Sequence, residues 1–223
     1  MRILYFLDVE TVFMNVLGYP MSYLEFAGTL LNLLSVYLVT RNSIWTWPVG
    51  NVAVFLFALL FYQIRLYVDV AEQVYFFFAG LYGWWAWAFH RHNAKEREAA
   101  LEIGTISGAA LWGWVFATFS VAALLGFVMA RIHTFLPSAF PDPASYPYID
   151  SFTTVLSMIA TLLMAHKKVE CWYMWIVVDV IGIGLYFAKD VVLVALLYIV
   201  FLFLAVRGLL NWRNFMREAN GTP

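Results

Sequence analysis

Asp179 stands in the middle of an apolar run with no lysine or arginine within a helical turn of it. Trp172, Trp175, Asp179, Gly182 and Tyr186 step by three, four, three and four residues, so a helix puts them on one face. A carboxylate at that depth is protonated, paired with another helix, or held for a cationic ligand; the bland reading is a buried Asp hydrogen-bonded to a neighbour. A second aromatic–polar face pairs Trp47 with Asn51 at i and i+4. A third runs through Asp69, Gln73, Phe76, Gly80, Trp84 and Trp87, and Tyr198 holds the place equivalent to Gln73 later in the chain. Asn32 shares a stripe with Glu25 and Thr29, either lining a wet interior or bonding a neighbouring helix; Glu25 is equally read as a helix-start acid. Indole and phenol faces stack on flat rings and attract cations, carboxylates accept from hydroxyls, and Asn and Gln read amides. These residue types suit a small, flat, polar ligand that is neutral or cationic.

Other chemistries are poorly served. The four histidines are scattered at segment edges without ligand spacing, and a single cysteine, Cys171, supports neither a disulfide framework nor a cysteine zinc site, so no metal or other cofactor is expected. There is no H-E-x-x-H, G-x-S-x-G or P-loop pattern, and residues 191–206 hold no lysine to carry a retinal. The net charge of −1 gives no field for a nucleic-acid partner.

The elements that must position these residues are membrane helices. The 223 residues are 64% hydrophobic and 12% charged, with mean hydropathy +0.79, more apolar surface than a water-soluble globule of this length can bury. An all-α integral membrane protein follows, with spans near 22–40, 45–64, 69–90, 106–130, 149–166, 171–188 and 190–211. A short interfacial helix over 1–19 is expected before them, because apolar residues there cluster on one helical face. The lysine and arginine bias predicts an outside N-terminus and an inside C-terminus. Trp45, Trp84, Trp87 and Trp212 near span ends suit the headgroup region, and Lys189 and Asp190 suit a solvated outer turn or a pair with each other.

Shifting the chain by 125 residues lays Trp47 on Trp172, Glu25 on Asp150, Gly83 on Gly208 and Trp87 on Trp212. Two three-helix repeats over 20–91 and 149–213 are therefore expected, joined by a loop and linker helix over 92–136 and a Pro-rich outer loop over 137–148, with a tail over 214–223. The odd linker helix restores chain direction, so the repeats run parallel in a 3+1+3 order, one of the designs of secondary transporters.

The strings NSIWTWPVGN (42–51), YVDVAEQVYF (67–76) leading to LYGWWAW (81–87), and ECWYMWIVVDVIGIGLYFAKD (170–190) with LLYIVFLFLAVRGLLNW (196–212) resemble the PnuC family of bacterial nicotinamide riboside transporters. The resemblance covers about residues 20–213. It implies seven spans similar to a full-length SWEET sugar transporter, a homotrimer in the inner membrane, facilitated diffusion, and trapping of the riboside by intracellular phosphorylation. Trp47, Asn51 and Gln73 match the first-unit signatures, and Trp172, Trp175, Asp179 and Tyr186 the second. Asn51 departs from the aliphatic residue the family often has there. The resemblance implies tryptophans stacked on the pyridinium, Gln73 or Asn51 on the carboxamide, and Asp179 on the ribose or balancing the charge. It leaves thiamin and riboflavin open as related substrates, and proton coupling open as a mode.

Overall fold

The computed structural model describes residues 6–16, 18–92, 102–106, 108–137, 143 and 145–219. Among these, seven helices follow one another: α1 (Tyr23–Thr40), α2 (Thr46–Gln63), α3 (Tyr67–His92), α4 (Gly108–Phe135), α5 (Pro147–Ala165), α6 (Glu170–Ala188) and α7 (Val192–Ala219). Six are long and apolar enough to cross a membrane. The exception is α3. Its 26 residues reach about 39 Å, but Asp69, Glu72 and Gln73 crowd its first two turns. Large apolar side chains stand exposed along the bundle, as lipid-facing surface requires, Phe78, Trp112, Phe116 and Phe203 among them.

Helices α1, α2 and α3 pack in succession, and so do α5, α6 and α7; α4 packs on α5. The two sets meet where α3 lies on α5 and α1 on α7. Four helices end alike. Asn42, Arg65, Lys167 and Asp190 all take positive φ, between 52° and 63°. The next residue donates its N–H back to the last turn, as Ser43 does to the Leu38 carbonyl at 3.1 Å and Lys168 to the Leu163 carbonyl at 2.8 Å. These are Schellman ends with non-glycine residues in the left-handed conformation. Asn42 and Lys167 are 125 residues apart, and so are Arg65 and Asp190.

The N-terminal segment departs from the expected interfacial helix. Val12–Val16 (β1) and Tyr19–Ser22 (β2) pair antiparallel, with Val16 opposite Tyr19 and a register irregularity between Val12 and Met14. Gly18 at φ +86° supplies the turn, and Pro20 is tolerated on a two-stranded edge. The 3.6-residue period of the apolar residues is outweighed by β-branched and aromatic residues beside a glycine. Phe13 packs against Tyr23 and Phe26, with ring centroids 4.7 and 4.8 Å away. Gln63 at the end of α2 ties the preceding residues down, donating to the Leu7 carbonyl and accepting from the Val9 N–H. Half of the Pro-rich 137–148 stretch and the loop over 93–101 lie outside the described residues.

Candidate functional site

Four tryptophans cross the junction between the helix sets at the end of the bundle away from the hairpin. Trp47 on α2 meets Trp87 on α3 edge-on, with centroids 5.4 Å apart and planes at 89°. Trp172 on α6 meets Trp212 on α7 at 5.5 Å and 87°. Trp87 and Trp212 approach to 6.3 Å. Each of these two then reaches across: Trp87 Nε1 donates to the Ala165 carbonyl at the end of α5, and Trp212 Nε1 to the Val39 carbonyl near the end of α1. Trp87 and Trp212 are thus buried cross-braces rather than headgroup anchors, because their N–H groups find carbonyl partners inside. Trp45 and Trp84 remain exposed.

Close helix approach makes this possible. A methyl at Gly83 would come within 2.5 Å of the Trp47 ring, and Gly208 offers the same seat to Trp172. Gly80, one turn earlier on α3, seats the Asn51 amide. Ser35 and Thr46 lock α1 to α2 reciprocally: Ser35 Oγ donates to the Thr46 carbonyl at 2.8 Å, and Thr46 Oγ1 to the Ser35 carbonyl at 2.9 Å.

On α6 the face read from the sequence is kept. Gly182 accommodates the Tyr198 ring from α7, and Tyr186 stacks on Tyr198 at 5.4 Å with planes at 23°. Asp179 is 3% exposed, and no described residue forms a hydrogen bond or ion pair with its carboxylate. The indole N–H groups of Trp47, Trp172 and Trp175 and the Asn51 amide nitrogen are also buried without a partner among the described residues. Four unpaired donors and one unpaired acceptor inside a membrane bundle are costly unless something else meets them. The acceptors such donors need are carbonyl or hydroxyl oxygens, and the partner Asp179 needs is a donor or a cation.

At the hairpin end a second group gathers. Asp69 and Glu72 on α3 interact electrostatically with each other, Glu72 lies close to Thr154 on α5, and Asp69 feels Asp150. Lys189, at the end of α6, pairs with Asp150 at 3.7 Å and lies 5.7 Å over the Tyr186 ring. Lys189 therefore joins Asp150 on another helix rather than the neighbouring Asp190. Glu72 was missed by the sequence reading, although its position three residues after Asp69 puts the two on one helical face. Asn32 and Gln73 are half-buried, and no described residue hydrogen-bonds either side chain. Glu25 is spoken for: it forms a capping box with Ser22 and accepts from the Tyr19 hydroxyl at 2.6 Å, which pushes that phenol up to about 12. Lys167, between α5 and α6, lies 4.5 Å over the Trp87 ring; burial holds its ammonium down to about 8 although the ring face attracts a cation.

Residues 22–214 match the family described as nicotinamide mononucleotide transporter. The chain belongs to that family. As a member it is a multi-pass membrane transporter and not an enzyme. The nicotinamide riboside transporter PnuC of Escherichia coli (strain K12) is 31% identical over 218 residues, covering 90% of this chain and 89% of the relative. The riboflavin/roseoflavin transporter RibM of Streptomyces davaonensis is 26% identical over 190 residues, covering 84% of this chain and 83% of the relative. The fold is similar to that in a crystal structure of the vitamin B3 transporter PnuC, with TM-score 0.66 and 20% identity over 88% of this chain and 83% of that one.

Proposed function

We propose that this chain carries nicotinamide riboside across the bacterial inner membrane by facilitated diffusion, with intracellular phosphorylation trapping what enters. Family membership and the 31% identity to a nicotinamide riboside transporter support the substrate. The observation that carries the reading is Asp179, buried and unpaired one turn from the Trp175 indole. A pyridinium nucleoside supplies what these groups lack: a cationic ring, a carboxamide oxygen for indole or Asn51 donors, and hydroxyls for the carboxylate. Trp47, Asn51, Gln73, Trp172, Trp175, Asp179, Tyr186 and Tyr198 form the proposed path, with Asn32 and Asp69 toward its margins.

The architecture we propose is two parallel three-helix repeats, α1–α3 and α5–α7, with α4 as linker, comparable to SWEET transporters. The recurrence of turns and tryptophan seats at 125 residues supports it. The N-terminus is proposed outside and the C-terminus inside, following the basic-residue bias, and the assembly a homotrimer. Riboflavin is the second reading, favoured by the similarity to RibM. It is neutral, so it offers Asp179 no counter-charge. Calorimetry of the purified chain with nicotinamide riboside, thiamin and riboflavin separates them. Saturable heat from the riboside alone is expected, and binding of riboflavin without the riboside would overturn the assignment.

A further inference from the structure

Two arginines from opposite helix sets converge on one tyrosine. Arg41, which ends α1, and Arg207, within α7, each place the guanidinium carbon 6.0 Å from the centre of the Tyr37 ring. Arg41 also donates to the Tyr37 hydroxyl at 3.2 Å. Neither arginine is ion-paired to a carboxylate among the described residues, and both are exposed. The seam beneath them is fixed, because Asn211 donates to the Thr40 carbonyl and Trp212 to that of Val39.

The setting is amphipathic. Leu30, Leu34, Tyr37 and Arg41 fall on one face of α1, and the first two are 55% and 43% exposed. Leu196, Val200 and Phe203, 39%, 45% and 65% exposed, precede Arg207 on the same face of α7. Two apolar stripes therefore run along neighbouring helices and end at the same level in a cation. A lone arginine in an apolar run is costly in hydrocarbon, and its long stem lets it reach the headgroup layer. Two guanidiniums, each within 6.0 Å of the same phenol ring, suit the oxygens of a phosphodiester, while the stripes suit acyl chains. A free phosphate would use the arginines and leave the stripes without purpose.

We propose that the seam between α1 and α7 is a binding site for one phospholipid of net negative charge, its phosphate held by Arg41 and Arg207 and its acyl chains lying along Leu30, Leu34 and Phe203. The site is separate from the proposed substrate path, and so is its test.

The full chain is purified in detergent and titrated with phosphatidylglycerol or phosphatidylcholine, and bound lipid is counted by native mass spectrometry. The wild type is expected to hold one phosphatidylglycerol at a concentration roughly tenfold or more below that needed by R41Q/R207Q, since each basic residue favours an anionic headgroup. R131Q, which removes an arginine from α4, should match the wild type. Unfolding temperatures in lipid-free detergent check that the double variant is folded, and R207Q alone provides a milder version with the same expected direction. Equal retention by folded wild type and variant would overturn the proposal. Displacement of the lipid by millimolar inorganic phosphate would overturn the lipid assignment in favour of a soluble phosphate site.

Discussion

No described residue of opposite charge pairs with Asp179, yet it is among the most buried polar groups of the described residues. A carboxylate held by structural partners would lose stability on replacement by a neutral amide; one left unpaired for a ligand would not. Asp179→Asn is therefore expected to lower nicotinamide riboside affinity tenfold or more, the worth of a charge-assisted hydrogen bond, while leaving the unfolding temperature unchanged or raised. Calorimetry alongside thermal unfolding checks both halves. Lys167 makes a different prediction. Its pKa in the folded chain is about 8, against 10.5 when exposed. Between those values the unfolded chain binds more protons than the folded one, so stability rises with pH across the window. Wild type is expected to gain in unfolding temperature from pH 7.5 to 10 relative to Lys167→Met, and parallel curves would show that the ammonium is not desolvated.

Among the elements, the glycines of α3 and α7 set how closely the helices approach. Gly83 and Gly208 each seat a tryptophan, whereas nothing lies within 4 Å of a methyl added at Gly113. Gly83→Ala and Gly208→Ala are expected to destabilise by about 1–3 kcal/mol, as overpacking does. Gly113→Ala should be neutral or slightly stabilising, since alanine favours a helix. Thermal unfolding in one detergent compares all three. Much of this was legible beforehand. The apolar runs placed all seven helices to within a few residues apart from the C-terminal extensions of α4 to Phe135 and α7 to Ala219, and the 125-residue recurrence matched Trp47 to Trp172 and Gly83 to Gly208 without showing that each glycine seats a tryptophan. The hairpin was not legible, because Val12, Phe13 and Val16 satisfy both a helical face and a strand, and only the Gly18 turn decides between them. Nor was the fate of Trp87 and Trp212: a tryptophan near a span end reads alike whether its N–H meets water or the Ala165 and Val39 carbonyls. The Asp150–Lys189 pair and the bond from the Tyr75 hydroxyl to the Met158 carbonyl join different helices, so spacing along one helix does not reveal them.

At the level of the whole molecule, the two helix sets are held together by reciprocal tryptophan bonds at one end and, nearer the middle, by the Tyr75 hydroxyl of α3 donating to the Met158 carbonyl of α5. Trp87 and Trp212 brace the far end, while Asp69, Glu72, Asp150 and Lys189 sit toward the hairpin. An alternating-access carrier needs two ends that can part in turn around a central site. On the proposed reading this site passes nicotinamide riboside without an ion gradient. Uptake of labelled riboside into proteoliposomes tests it most directly. Entry is expected to be saturable, to stop at equal concentrations, to be blocked by excess unlabelled riboside, and to be unchanged by an imposed pH gradient. Absence of riboside flux in liposomes that take up riboflavin, or accumulation that follows the proton gradient, would contradict it.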